Sequence, residues 1–190
     1  MLDVTKKIMG NQIYLRPITD SEEDTNHIIR WRNSDGVRPY FIYQKPFTIE
    51  GHKQWLEKEI FSGKGFQFIV CKIEDDTPIG CTYLRDYDKV SRKAEYGFFI
   101  GVEEEKGKGI GKDMLTTTME FAFEELGLHK LYARAFANNM PSVKSFLSCD
   151  LSRKLTLEMR SILMENIGIL CFWQKSIPVK YKINSNMRAA

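Results

Sequence analysis

The stretch Glu103-Glu104-Glu105-Lys106-Gly107-Lys108-Gly109-Ile110-Gly111-Lys112 constrains this chain more than any other. It follows a β-prone apolar run and precedes a segment whose Met114, Leu115, Met119, Ala122, Phe123 and Leu126 fall on one helical face, with Gly127 placed to end the helix. Alternate glycines let the backbone turn its amide N–H groups toward one point, and the following helix N-terminus adds partial positive charge there. In physical terms this is a cradle for a diphosphate, to which Lys106, Lys108 and Lys112 can add formal charge; the plainer alternative is a flexible turn between strand and helix. Two other phosphate loops are excluded by position. A Walker A loop needs glycine where Lys106 stands and Ser or Thr where Asp113 stands, and a dinucleotide fingerprint needs its third glycine at Lys112.

Around this loop the pattern reads as one α+β domain. Ile13-Tyr14-Leu15-Arg16-Pro17 alternates and stops at proline, which predicts a first strand. Asp20 and Ser21 can cap a helix carrying Ile28, Ile29 and Trp31. Thr48 can cap a second, carrying His52, Trp55, Leu56 and Ile60 before Gly63 and Gly65. Three β-prone runs follow, at 66–73, 79–86 and 94–101, and suggest an antiparallel meander. Beyond the glycine loop and its helix, Leu131, Ala133 and Ala135 alternate with Tyr132, Arg134 and Phe136 as a strand, and Asn138-Asn139-Met140-Pro141 leads into a short helix from Ser142.

The 190 residues, 43% of them hydrophobic, suffice for one core and not for two. Twenty-eight basic against 25 acidic residues leave a net charge of +3, too balanced for a general nucleic-acid binder. No stretch reaches the apolar length of a membrane span and Met1 to Gly10 lacks the apolar run of a signal peptide, so a soluble cytoplasmic protein is expected. Cys71, Cys81, Cys149 and Cys171 are widely spaced, without a Cys-x-x-Cys pair or a nearby histidine cluster. Free thiols and no metal site are the expectation.

The order strand, two helices, three-strand meander, glycine loop, helix, strand and Asn-x-x-Ser helix resembles the GNAT superfamily of N-acetyltransferases. Its signature, Gln/Arg-x-x-Gly-x-Gly/Ala, falls on Lys106-Gly107-Lys108-Gly109-Ile110-Gly111, with Lys106 replacing Gln or Arg. Its Asn-x-x-Ser is matched by Asn139-Met140-Pro141-Ser142. Leu15-Arg16-Pro17, Trp31-Arg32-Asn33 and the helix at 48–55 look like the branch of ribosomal-protein N-terminal, polyamine and amino-sugar acetyltransferases. The similarity covers residues 10–149. It implies a GNAT-type fold, a central and mostly antiparallel mixed sheet flanked by helices, and acetyl-CoA as cosubstrate. It further implies that Lys106 to Lys112, Asn139 and Ser142 contact the cofactor and that backbone groups near Ile100, Gly101 and Val102 pair with its pantetheine amides. The acceptor would be a small-molecule or peptide amine, and the protein a monomer or homodimer acting without nucleic acid, membrane or metal.

Acetylating an amine requires something to accept its proton. Relatives use a glutamate on the strand before the glycine loop, and Glu95 is the acid there. Its apolar neighbours would raise its pKa if it is buried; the alternative is a solvated strand-edge charge facing Arg92 or Lys93. The tyrosine that protonates the departing thiolate in many relatives falls on Phe146, whose ring has no proton to give; Ser142 or Ser145 are substitutes, and serine there is equally a helix cap. His27, His52 and His129 read as surface residues. Trp31, Tyr40, Phe41, Tyr43, Phe47 and Trp55 can form an acceptor wall or simply the core beneath two helices.

After Ser148-Cys149 the family expects Gly-Phe and two closing strands. Here Asp150-Leu151 begins a divergent tail, 150–190, that reads helically through Leu155, Leu157, Met159, Ile162 and Leu163. A frame change is one account: Met164-Glu165-Asn166 must be encoded ATG-GAR-AAY, which one base earlier contains a glycine codon, GGA. Sequencing across the Cys149 codon tests it, since no codon set restoring the family ending rules it out. The resulting expectation is an acetyl-CoA dependent N-acetyltransferase of protein N-termini, polyamines or amino sugars. A CoA-binding or sensing module that has lost catalysis is the second reading, and a basic interaction domain without cofactor the third.

Overall fold

The alternation in Ile13–Pro17 sends Ile13 and Leu15 to one face of a sheet and Tyr14 to the other, and all three are buried. A strand covered on both sides must sit between two layers. The computed structural model describes residues 6–136 and 138–148 and the backbone of 155–160 and 169–175. A two-residue strand β1 (Ile8–Met9) precedes β2 (Ile13–Pro17), so the expected first strand is the second. Helices α1 (Glu22–Asn33) and α2 (Ile49–Trp55) follow, then β3 (Phe66–Lys72), β4 (Pro78–Asp88) and β5 (Lys93–Ile100). The glycine loop leads into α3 (Ile110–Glu120), β6 (Lys130–Ala135) and α4 (Met140–Ser148). Two strands, β7 (Leu155–Arg160) and β8 (Ile169–Lys175), close the order.

The local signals act as expected. Ser21 Oγ accepts the Asp24 N–H at 3.2 Å and Thr48 Oγ1 accepts the Gly51 N–H at 3.1 Å, each capping its helix. Both α2 and α3 run on into wider turns, Leu56–Phe61 and Phe121–Glu125. Gly63 and Gly127, at φ 77° and 64°, then reverse the chain as only glycine does cheaply.

The sheet order is β1-β2-β3-β4-β5-β6-β8-β7, antiparallel throughout except for the parallel pair β5 and β6. One core, with Leu15, Phe68, Leu84 and Tyr96, lies against Met114, Leu115 and Phe121 of α3 and its extension. The other, with Ile69, Cys71, Cys81 and Phe99, lies against Ile28 and Trp31 of α1 and Leu56. Arg16 and Asp24 lock α1 to β2 through a bidentate pair at 2.6 and 2.9 Å, and Thr19 adds its N–H and hydroxyl to Asp24 at 2.9 Å.

The helical reading of the tail is overturned over 155–160. Leu155, Leu157 and Met159 alternate with Thr156, Glu158 and Arg160, which is a period of two, and the segment is strand β7. Ile162 and Leu163 lie outside the described residues.

Candidate active site

Gly107 and Gly109 take φ of 79° and 84°, the left-handed region that side chains resist, so the loop requires glycine at both. A Cβ at Gly107 would meet open space, and one at Gly109 only Gln12 Nε2 at 3.8 Å, so this concave backbone stands open to a ligand. Lys112 and Asp113 donate their N–H groups to the Gly109 carbonyl at 3.1 and 3.2 Å, closing the first turn of α3. The earlier N–H groups, of Ile110 and Gly111, fall before any helical acceptor. Gly111 serves packing instead: a Cβ there would come within 2.8 Å of Ser145 Oγ and 3.3 Å of Phe98, so its smallness seats α3 against α4.

The lysines divide differently from the sequence expectation. Lys106 Nζ turns back to Glu103 at 2.6 Å and to the Gly36 carbonyl at 3.1 Å, and Lys108 Nζ to Glu105 at 3.1 Å. Their charge is compensated within the protein. Lys112 is exposed on the first turn of α3 and has no acidic partner among the described residues. A residue that sequence reasoning met only as an argument against Walker A also matters. The buried Asp113 carboxylate takes the N–H groups of Asn11, Gln12 and Ile13 at 3.0, 2.7 and 3.2 Å, tying the turn between β1 and β2 to the start of α3.

β5 and β6 pair only at Lys93↔Lys130, Ala94↔Leu131 and Glu95↔Tyr132, and beyond that they part. The expectation of open backbone groups at Ile100, Gly101 and Val102 needs correction. Gly101 and Val102 both give their N–H to the Ile79 carbonyl of β4, at 2.8 and 3.3 Å. Antiparallel pairing alternates the direction of peptide groups, so with Gly101 facing β4, those of Phe98 and Ile100, past the last ladder pair with β6, face the opening. Gly101 has a steric role as well, since the Trp31 indole lies where its Cβ would be. A cleft of about 1240 Å³ runs from Gly107, Gly109 and Gly111 past Phe98 and Ile100 to Tyr83 and Glu95. Asn139 and Ser142 line it too, and Asn139 Oδ1 accepts the Ser142 N–H at 3.3 Å as the cap of α4.

Glu95 sits at the fork, with its side chain only 4% exposed, but in neither of the expected surroundings. Arg85 Nη2 donates to Oε1 at 2.5 Å, while Arg134 donates through Nε to Oε1 at 3.2 Å and through Nη2 to Oε2 at 2.8 Å. Arg92 and Lys93, the expected partners, do not take this place: Arg92 Nε reaches the Gly127 carbonyl at 2.8 Å. Carboxylates offer about four acceptor positions, of which the two arginines take three, leaving one on Oε2.

Tyr83, one row along the same face, lies over Gly97, leaving no room there for a Cβ. Burial pushes its phenol above the ordinary tyrosine value. Sequence reasoning passed over it because alternation in β4 fixes only which face it takes. Phe146, in the place of the expected tyrosine, is a buried core ring stacked edge-on against Tyr96 and Phe98. Ser145 gives its hydroxyl to the Pro141 carbonyl at 3.0 Å.

The N-terminal aromatics divide between core and cleft. Trp31 is core, whereas Tyr40, Phe41, Tyr43, Phe47 and Trp55 line the far end of the cleft. Asn33 holds that wall by accepting the Phe47 N–H at 2.8 Å and donating to its carbonyl at 2.9 Å. His52, expected at the surface, is fully buried there, edge-on to Phe47. Burial lowers its imidazole to about 4, against an opposing pull from Asp24, and neither ring nitrogen has a hydrogen-bond partner among the described residues. No group of three or more His, Cys, Asp or Glu among the described residues could hold a metal ion, and none of their helices is long and apolar enough to cross a membrane.

Residues 12–152 match the family model of the acetyltransferase (GNAT) domain. The chain belongs to this family. It is 23% identical over 175 residues to the probable N-acetyltransferase YjcK of Bacillus subtilis, covering 88% of this chain and 92% of that protein. To the spermidine N(1)-acetyltransferase of Vibrio cholerae it is 23% identical over 141 residues, or 74% of this chain and 79% of that one. Its fold superposes with a TM-score of 0.70 on the Vibrio cholerae spermidine N-acetyltransferase solved with CoA and spermine, at 20% identity, covering 86% of this chain and 95% of that one. The family makes this chain an acetyl-CoA dependent acyltransferase, and the open glycine backbone, Lys112 and the α3 N-terminus fit the cosubstrate's diphosphate.

Proposed function

We propose that this GNAT acetyltransferase acetylates a primary amine, of a protein N-terminus, a polyamine or an amino sugar, by direct attack in a ternary complex. The observation that carries this reading is one continuous cleft joining the glycine loop to the aromatic wall through the fork at Glu95. Acetyl-CoA, when bound, supplies an acetyl thioester whose C–S bond breaks as the amine forms its C–N bond. The loop from Lys106 to Lys112 holds the diphosphate by backbone N–H groups, with Lys112 as the uncompensated charge. Asn139 and Ser142 border the same channel, and of the β5 backbone Ile100 faces the pantetheine path. Glu95 accepts the amine's proton, directly or through water, at its open Oε2 position; Arg85 and Arg134 fix its orientation. Tyr83 keeps its phenolic proton at neutral pH and offers the hydroxyl that Phe146 lacks.

The decisive substitution is Glu95→Gln, measured by thiol release and by calorimetry with acetyl-CoA. Turnover should fall on the order of 100-fold with cofactor affinity unchanged, and should recover as rising pH deprotonates the amine without help. A loss of only about 2-fold removes Glu95 from the mechanism. Phe146 is the observation that favours the second reading, a CoA sensor. Wild-type protein that binds acetyl-CoA and releases no thiol with any amine decides for it.

A further inference from the structure

The cleft's charge is lopsided. Six Lys and Arg side chains line it (Arg32, Arg85, Lys106, Lys112, Arg134 and Lys144) against three acids, Asp35, Glu95 and Glu103. The acids are already engaged: Glu103 with Lys106 at 2.6 Å, Glu95 with Arg85 and Arg134, and the exposed Asp35 with Arg38 at 3.6 Å. Lys112 and Lys144 belong to the α3 and α4 side, near the glycine loop. Arg32 does not; it projects from α1 onto the face of the sheet that carries Tyr83 and Arg85.

Arg32 is half-buried and has no acidic partner among the described residues. Its guanidinium carbon lies 3.3 Å from the Phe41 ring centroid and 5.0 Å from that of Phe47, so two aromatic faces hold it in the wall. Desolvation lowers its pKa from the ordinary arginine value, and the charge of Arg85 pushes the same way. Nearby, Arg85 Nε, Gln67 Oε1 and both nitrogens of His52 are buried without a hydrogen-bond partner among the described residues. Both cations line one cavity, Arg85 held by Glu95 and Arg32 by no acid among the described residues, and a guanidinium presents its donors in the planar fork that suits carboxylate and phosphate oxygens.

Resting on the amine-acetylating reading above, we propose that the acceptor carries an anionic group, a carboxylate or a phosphate, which the Arg32 guanidinium receives at the aromatic wall. A polyamine would bring its second ammonium to a wall that has arginine and, among the described residues, no spare carboxylate. Among the acceptors open to this enzyme, the wall selects amines that carry their own negative charge.

The test uses amines of one chain length and three tail charges: 4-aminobutyrate, butylamine and 1,4-diaminobutane. Phosphoethanolamine against ethanolamine separates phosphate from carboxylate recognition. Each is titrated calorimetrically into the full-length protein saturated with CoA, and each is assayed for thiol release with acetyl-CoA. At least one anionic amine should bind about tenfold or more tightly than its neutral partner, about 1.4 kcal/mol, with the diamine weakest. Arg32→Gln should erase the preference while acetyl-CoA affinity stays unchanged, and Arg32→Lys, which retains the charge, should keep part of it. Equal binding of the three tails, preference for the diamine, or a preference surviving in Arg32→Gln overturns the proposal. Anion-selective binding without thiol release supports this site while refuting the amine-acetylating reading, so the two failures are distinct.

Discussion

Burial lowers the His52 imidazole to about 4, so between that value and the unfolded value near 6.5 the unfolded chain takes up a proton that the folded protein does not. Stability must therefore decline as pH falls through this window, by an amount on the order of 3 kcal/mol once pH is below 4. Urea unfolding of wild type and His52→Leu at pH 7, 5.5 and 4.5 checks it; the wild type should lose stability more steeply, and parallel slopes would contradict the assignment. Asp24 acts in a lower window. Burial pushes its carboxyl up, but Arg16 and Thr19 outweigh this and hold it below the ordinary value. Its contribution is complete above the unfolded carboxylate value and is lost as pH falls through the folded one. Single residues differ in how far a sequence reveals them. Ser21 and Thr48 were legible as caps because a cap answers to atoms three residues away. The surroundings of Glu95 were not, because its partners lie 10 and 39 residues off and reach it only across the sheet. Apolar neighbours in sequence point to both faces of a strand, so they say little about what one carboxylate meets.

At the scale of elements, the strands, helices and glycine loop were legible because each obeys a local period or a local steric rule. Gly109→Val should weaken acetyl-CoA binding by at least about tenfold in calorimetry, since a β-branched residue resists φ of 84° and covers the open backbone. Equal affinity of the two proteins would show that the loop is only a turn. Some destabilisation, about 1–2 kcal/mol, accompanies the strained conformation, so the comparison is made well below the melting temperature. What the lysines do was not legible. A motif gives their spacing, but Lys106 and Lys108 were free to fold back on Glu103 and Glu105, acids of the same segment. The tail shows the opposite error, a period of two read as helical because Leu155, Ile162 and Met159 also fit a helix stripe.

For the molecule as a whole, the apolar runs implied an antiparallel meander, and family resemblance supplied the mixed sheet; no local pattern says where two neighbouring strands part. The fork between β5 and β6 has a further consequence, for how fast different parts of the sheet exchange with solvent. Three residue pairs join these parallel strands, and the chain between them runs through the glycine loop and α3. The loop is therefore a clasp across a seam of only three pairs, whereas β3 and β4 share six paired positions and a short hairpin. Hydrogen–deuterium exchange followed by mass spectrometry should show amides of β5 beyond Glu95 and of β6 exchanging before those of β3 and β4. Adding acetyl-CoA should slow exchange at the seam more than elsewhere. Slowing spread evenly over all strands would mean that the ligand stabilises the whole fold alike, and slowing confined to the loop would mean that the clasp does not reach the seam. If the pattern holds, the same few backbone groups proposed to receive a diphosphate also set the opening rate of a sheet they do not belong to.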